Sequence, residues 1–534
     1  MRRLSESWSK LFIALTAFAI SYTTPIADGD QWVRDHTKFE VVLTSEMKGT
    51  DIGTRRELFV EETLIESITG DAQQVLHHPT PREIVLVNDQ PWEGNILNYV
   101  SMIQDGETYR MYYRTGNSDV LNQYKTITPE VVCVALSQDG VHWERPNLGL
   151  IEYNGSKDNN IVMIKTDMER WLHAAHHLCV FLDKNPNTPP SERYKATGGL
   201  PLRGWVSEDG FDWKLGRREP IVRHSYFDSL NTCVWDPHRD EYRIFSRTKR
   251  DGIRDILVST SKTFLENFSH PVILEYTPAR SGHLYTNQII IYDRAPHYYL
   301  GFPTRYESRG VTPSTKYLAD WEWRQKREEA NRNYDPGDGA AATEGLFMAS
   351  RDGHNFRLYE EAFARPGLRT KDTWFYGDMY QARGLLETPS TTFDDAPNEF
   401  SLYFNESCLR PEVPGKMRRY TLRLDGFVSI YAKMSGGKVT TRPIRFAGNK
   451  LTLNYSSSAR GGIRVGFLDE VGESIEDFSL EDCPWIYGDQ LDRPVEWYRG
   501  EEVATDVSSL ADRTVKIVFE LKDADLYAYQ FVGE

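Results

Sequence analysis

The sequence predicts an all-β protein, a five-bladed β-propeller over residues 45–435 followed by a C-terminal β-sandwich over 436–534. Three observations carry this reading. A Ser-x-Asp-Gly-x-x-aromatic pattern occurs three times, as SQDGVHW at 137–143, SEDGFDW at 207–213 and SRDGHNF at 350–356. Each copy ends a short apolar run of strand character, so the repeat marks a recurring hairpin and points to radial repetition rather than one continuous sheet. Past residue 436 the chain turns into short alternating strands between turns, KVTTRPIRFAG, KLTLNYSSS, GIRVGFLDE, RTVKIVFELKD and LYAYQFVGE, the pattern of a sandwich beside the ring.

The repeated turn follows from local chemistry. Asp folds its carboxylate onto nearby backbone N–H groups, Gly supplies a positive φ, and the aromatic (Trp143, Trp213 or Phe356) opens the outer strand and packs between neighbouring sheets. Working outward from these turns gives four-stranded blades. The first is NILNYVSMIQDG, ETYRMYYRTG, VVCVALSQDG and HWERP; the second is HHLCVFLD, RYKATGG, RGWVSEDG and FDWKL. The third is NTCVWDP, EYRIFSRTK, RDILVSTSK and a degenerate outer strand after Phe264. The fourth is NQIIIYD, HYYLGFPTRY, EGLFMASRDG and NFRLYEE. The fifth, MYQARGLLET, EFSLYFNES and RRYTLRLDGFVSI, lacks the turn, and the early segment RELFVEETLIES is expected to supply its outermost strand and close the ring. Five blades is the count read here, with six left open.

Bulk properties narrow the partners. A chain of 534 residues exceeds one typical domain, which suits a large core with an appended module. A formal net charge of −15 disfavours nucleic acid, whose phosphates need a basic face. Arg2, Arg3 and Lys10 precede the apolar run Leu11–Ile20, too short to span a bilayer, so residues 1–27 read as a cleaved signal peptide and the mature protein as secreted or periplasmic. No later stretch is long and apolar enough to cross a membrane. Cys133, Cys179 and Cys233 fall in predicted strands as small buried thiols, and nothing compels Cys408 to pair with Cys483. No zinc spacing occurs, no organic cofactor is implied, and a structural calcium is possible but has no motif.

Blade register turns the fold into a functional expectation. Residues at the start of a blade's first strand, the end of its second and the start of its third converge on one mouth of the ring. This selects Glu93 with Asn95, His176 with His177, Asp228 with Asn231, His283 with Asn287, and Asp378 from first-strand starts, Arg114, Arg247, Arg305 and the Asn405–Glu406 pair from second-strand ends, and Glu130, Asp255 and Glu344 from third-strand starts. Such a polar wall suits a sugar. Glycoside cleavage needs two carboxyl groups in different environments, so Asp228 in SYFDSLN, Glu93 in PWEGN and Asp378 in WFYGDMY are the expected catalytic acids, with Glu344 in reserve. Trp374 and its aromatic neighbours around Asp378 are an expected sugar platform. A separation of roughly 5–5.5 Å between two such carboxyls favours retention and roughly 6.5–9.5 Å inversion. The segment from Tyr306 to Thr343 interrupts the fourth blade, with a short helix expected around Leu318–Asn331, and reads as a lid over the mouth.

The chain resembles the five-bladed propeller hydrolases of glycoside hydrolase families 32 and 43. It is more closely similar to uncharacterised secreted relatives of planctomycete-type bacteria that carry ELFV, PWEGN, FDSLN, HLYTN with FPTRY, EGLFMASRDG, RRYTLRLDGFVS and LKDADLY. The resemblance implies a secreted glycosidase acting on an oligo- or polysaccharide. The Asn-Asp-Pro-Asn-like stretch, Arg-Asp-Pro triplet and Glu-Cys pair of invertase-type enzymes are missing, so only general roles carry over. Two other readings stay open: a non-catalytic carbohydrate-binding propeller, and a sialidase-like hydrolase in which Arg114, Arg247 and Arg305 clamp an acidic sugar.

Overall fold

The computed structural model describes residues 49–165, 174–223, 226–333, 336–371, 373–410 and 413–533. The expected signal peptide at 1–27 lies outside the described residues. All described residues fall in one compact unit, nearly all of it β-structure.

Five mainly antiparallel sheets follow one another along the chain, the fourth also taking the short strand Glu275–Thr277 in parallel against Asn355–Ala364. The first runs Ile96–Asp105, Thr108–Gly116, Val131–Ser137 and Ile161–Ile164; the second Cys179–Leu182, Tyr194–Gly198, Arg203–Ser207 and Lys214–Leu215. The third runs Thr232–Asp236, Glu241–Arg250, Ile253–Ser261 and the two-residue Val272–Ile273. The fourth is built on Ala341–Ser350 and Asn355–Ala364, its inner strands broken into short pieces such as Ile290–Ile291 and Thr304–Ser308. The fifth runs Leu386–Thr388, Glu399–Glu406 and Lys416–Arg423, and is completed by Thr80–Val87 from the start of the chain. First strands of successive sheets are neighbours, and an apolar cluster including Leu300, Phe347, Leu402 and Phe404 joins the fourth to the fifth, a propeller-like arrangement around an axis. On that axis the Arg383 guanidinium donates to the carbonyls of Val180 at 3.3 Å and Cys233 at 2.9 Å, while its backbone N–H donates to Val100, stitching three sheets together.

The three repeated turns share one hydrogen-bond network. In the second, Asp209 Oδ1 accepts the N–H groups of Phe211 and Asp212 at 2.7 and 3.0 Å, Gly210 N–H donates to Ser207 Oγ, and the Trp213 indole donates back to the Gly210 carbonyl. Asp139 and Asp352 hold their turns in the same way. Each turn is also gripped by another sheet: Arg110 donates to the Asp209 carbonyl, Arg243 to that of Asp352 and Tyr403 to that of Gly140. The repeat is therefore an inter-sheet latch as well as a hairpin. Gly210 has φ +81°, and a Cβ there would lie 2.5 Å from the Tyr112 hydroxyl. Gly210→Ala is expected to cost about 1–3 kcal/mol through the combined backbone and packing strain, read as a lowered urea midpoint. An unchanged midpoint would show that the latch does not bear on stability.

Two expected strands sit elsewhere. RELFVEETLIES does not close the ring: Arg56–Leu58 and Ile65–Leu76 join the C-terminal sheet, and Thr80–Val87 takes the closing place. HWERP does not form the outer strand of the first sheet; it makes a single bridge at Glu144, and Ile161–Ile164 pairs there instead. The C-terminal module centres on the long strands Val428–Thr441, Lys450–Leu468 and Lys516–Val532. Bulges at Ala432/Gly437 and Ser457/Gly462 bend them, so that the sheet curves over one core containing Phe467, Trp497, Phe519 and Phe531. Val428–Thr441 lies wholly in the C-terminal sheet and crosses residue 436 without a break, so the module begins near Val428, after a short turn from the Lys416–Arg423 strand of the fifth sheet, and not at 436. All five cysteines are buried free thiols.

Candidate active site

Part of the expected register set meets, in a cavity of about 910 Å³ at one mouth of the ring. Its wall takes Tyr99, Arg114 and Glu130 from the first sheet, His176 before the second, Asp228, Arg247 and Arg254 from the third, and His283, Tyr285 and Tyr306 from the fourth. Tyr376 and Tyr380, leading into the fifth sheet, complete it.

Asp228 is the carboxylate that projects into this space. Its side chain is 60% exposed, and its two oxygens face His176 Nε2 at 3.4 Å and Arg247 Nη2 at 3.0 Å. Crowding by the walls opposes its ionisation, but the His176 contact and the Arg247 charge outweigh that and hold the carboxyl well below the usual range. The loop beneath is clamped. Asn231 donates to the carbonyls of Phe227 and Ser229 at 2.8 Å and accepts the Arg247 N–H, and Ser229 Oγ donates to the Tyr285 carbonyl.

Behind Asp228 lies a fixed charge relay. His176 Nδ1 lies 2.8 Å from Glu130 Oε2, which also accepts from Arg114 Nε at 3.1 Å, while Lys165 is 3.4 Å from Oε1. Desolvation resists the charge on Glu130, but Arg114, His176 and Lys165 together hold it far below an ordinary glutamate. One imidazole thus separates and positions two ionised carboxylates. Across the cavity, His283 Nδ1 accepts the Arg254 N–H at 3.2 Å, which puts its proton on Nε2; desolvation, with Arg254, Arg280 and Lys249, pushes this imidazole down. Arg254 stacks over Tyr285 and Tyr306, whose rings belong to a tyrosine-rich cluster. The Tyr285 and Tyr376 hydroxyls are 2.6 Å apart.

Several expected site residues lie off this wall. Glu93 is enclosed behind the first sheet, bound by Arg145 through two 2.9 Å contacts and by the Tyr113 hydroxyl at 2.5 Å, so it is a buried structural anion. Asp378 is buried beside the insertion, with Oδ1 accepting the Cys408 N–H at 2.9 Å and Oδ2 without a hydrogen bond. Burial pushes its carboxyl well up. Glu344 is held by Arg305 at 2.6 and 2.9 Å, which consumes a carboxylate and an arginine expected to face sugar, and Glu406 is held by Arg418. His177 points into the core behind His176, and burial lowers it to about 3. Asn287 bonds the carbonyls of Leu230 and Phe245 and the Thr232 hydroxyl, a structural role. Trp374 lines a separate cavity.

Asp228, Arg114, Arg247 and His283 are the expected residues that the structure brings to the common wall. The register positions Glu130 and His176 also reach it, whereas Arg254, Glu307 and the tyrosines were not in that set. Glu130 and His176 sit at register positions that select them; nothing local distinguishes them from their unused neighbours. Glu307, at the rim on Thr304–Ser308, is an exposed carboxylate without an ion-pair partner among the described residues. The insertion forms a 3₁₀ turn at Thr315–Tyr317 and a helix at Trp321–Asn331. Arg327 on that helix is buried against Asp338 at 2.8 and 3.0 Å and against the Tyr124 hydroxyl, while Asn331 donates to the Val120 carbonyl. These bonds make it a fixed wall beside the mouth. Among the described residues no cluster of three His, Cys, Asp or Glu is arranged to hold a metal ion, and no helix is long and apolar enough to cross a membrane.

No family model matches the chain. Two uncharacterised proteins of Mycobacterium tuberculosis, from strains CDC 1551 / Oshkosh and ATCC 25618 / H37Rv, are 32% and 31% identical to it over 157 residues. Each match covers 28% of this chain and 46% of the relative, so the chain spans about half the length of the curated relatives it matches. Similar solved structures include the catalytic domain of a GH62 α-L-arabinofuranosidase from Coprinopsis cinerea, at 10% identity and TM-score 0.37 over 65% of this chain and 97% of that one. Others are a GH32 β-fructofuranosidase of Bombyx mori (9%, 0.36, 86% and 94%) and a family 117 glycoside hydrolase of Zobellia galactanivorans (11%, 0.35, 66% and 90%). With TM-scores this low, the functional reading of the chain rests on its own sheets and cavity.

Proposed function

We propose that the protein is a glycoside hydrolase that cleaves an oligo- or polysaccharide in the central cavity of a five-bladed propeller, and that it acts outside the cytoplasm after removal of residues 1–27. The observation that carries this reading is Asp228: an ionised carboxylate on a clamped loop, open to a roomy cavity and steadied by His176 and Arg247. Asp228 either activates water or attacks the anomeric carbon. The leaving oxygen needs a proton, and the wall offers three carboxyl groups, Glu130, Asp228 and Glu307. The first two are held ionised by cations. Glu307 makes no ion pair among the described residues and is the proton donor assigned in this reading. Carboxyl pair and water balance the reaction without an organic cofactor. Tyrosines on the wall offer flat apolar faces to a sugar ring, while arginines and histidines bond its hydroxyls.

The test is release of sugar from plant and marine-algal glycans, sulfated ones included, by the purified protein, with the first-formed anomer read by NMR. An inverted product makes Asp228 the base and a retained one makes it the nucleophile. Binding without release of any sugar overturns the hydrolase reading in favour of a binding propeller. The pH profile adds a second check. Asp228 acts ionised and its pKa is depressed, so kcat/KM is expected to hold as pH falls and to drop only below the ordinary aspartate value of about 3.9. An acid limb near about 6.5 would transfer the base role to an imidazole, His176 being the one in contact.

A further inference from the structure

Beside the central cavity lies a second one of about 460 Å³, within the range of about 300–1,000 Å³ typical of small-molecule sites. The insertion and the segment before the fifth sheet build it, and Glu307 is on the wall of both cavities. Three features set its chemistry. Trp374 stands half-buried on its wall with φ +66°, a left-handed conformation that a bulky residue adopts only where its surroundings impose it. Those surroundings are explicit: Arg324 of the insertion helix donates to the Trp374 carbonyl at 2.8 Å, and the indole N–H donates to the Gly367 carbonyl at 3.0 Å, fixing the ring. Arg309 and Arg369, both exposed, also line the cavity, and neither has an ion-pair partner among the described residues. Glu344, the other acid on the wall, is already neutralised by Arg305.

We infer that this second cavity is a leaving-group subsite for an anionic sugar unit, carrying a carboxylate or a sulfate ester, with its ring on Trp374 and its charge held by Arg309 and Arg369. Guanidinium groups pair bidentately with either anion, and an indole face takes the C–H face of a pyranose. The inference deepens the hydrolase reading and rests on it in one respect: Glu307, at the junction, stands where the scissile oxygen passes from the central cavity to the second. Substrate therefore runs across Glu307, with the unit that becomes the glycosyl product in the tyrosine-lined cavity and the departing chain over Trp374.

Binding and turnover test the subsite separately. In an Asp228→Asn background, where ligand is not consumed, calorimetry with a galacturonate trimer, a sulfated galactan oligomer and a neutral galactan oligomer of equal length is expected to show at least about tenfold tighter binding of one charged probe. Which charged probe binds assigns carboxylate or sulfate. The Arg309→Ser/Arg369→Ser pair should erase that preference, and Trp374→Ala should weaken the charged probe about tenfold, with thermal melts confirming the fold. Equal binding of charged and neutral probes, a preference that survives the double substitution, or no binding of either charged probe overturns the subsite. In the active protein, the double substitution should raise KM for charged chains relative to neutral chains of equal length. Turnover without charge preference sinks the subsite alone; charge-selective binding without turnover of any glycoside sinks the catalytic reading alone.

Discussion

Asp228→Asn is expected to lower kcat/KM by a factor on the order of 10²–10⁴, the usual contribution of a positioned base, and by more if Asp228 is the nucleophile. The change removes one charge and alters no shape. The side chain is mostly solvent-exposed within the cavity, so no core contact is lost, and the loop beneath is held by Asn231 and Ser229 rather than by the carboxylate. Arg247 keeps its stacking on Tyr285, and Thr197 still donates to the Asn231 carbonyl. Thermal unfolding should therefore be close to that of the parent while turnover collapses. The measurement is steady-state kinetics on the best glycan from the screen beside a melt of the same preparation. Parental turnover in the Asn variant would remove Asp228 from the chemistry and leave the cavity without its base.

Glu93→Ala should do the reverse, costing about 3–5 kcal/mol of stability. The Glu93 carboxylate is fully enclosed, and it satisfies the Arg145 guanidinium through both oxygens and the Tyr113 hydroxyl through one. Removing it leaves a partly buried cation and a buried hydroxyl without their acceptor, and opens space beside Trp92, whose indole is tied to Asn160. Urea unfolding of the variant should show a midpoint far below the parent's, and protein that stays folded at low temperature should retain most of its turnover. A variant of parental stability that has lost activity would return Glu93 to the catalytic role its place in PWEGN suggests.

These two acids show how far the sequence carries. Both stand at the start of a first strand, as the register rule requires, and both follow an aromatic-bearing segment. What separates them is the neighbour supplied from elsewhere: Arg145, 52 residues on, turns back to take Glu93, whereas the cations near Asp228 leave its outer edge facing the cavity. Asp378 differs in another way, since it is buried beside the insertion and burial pushes its carboxyl well up. The closing strand gives the same lesson at the level of topology. RELFVEETLIES is the expected closing strand, yet Thr80–Val87 takes that place. Pairing alone decides between them, and the long Val428–Thr441 takes the 12-residue Ile65–Leu76 along most of its length, leaving Thr80–Val87 for the ring.

By itself the sequence determined what short-range chemistry can determine: the β-rich character, the three Asp-Gly turns with their closed hydrogen-bond networks, and the register positions that approach one mouth. Donor and acceptor in such a turn lie two or three residues apart, so composition suffices to specify it. Only the tertiary structure decided which carboxylates stay open to that mouth, that His176 links Glu130 to Asp228, and that Glu307 stands between two cavities. Those outcomes depend on charges and apolar walls brought together from distant sheets, where desolvation and ion pairing compete for each group, and no stretch of chain contains both partners.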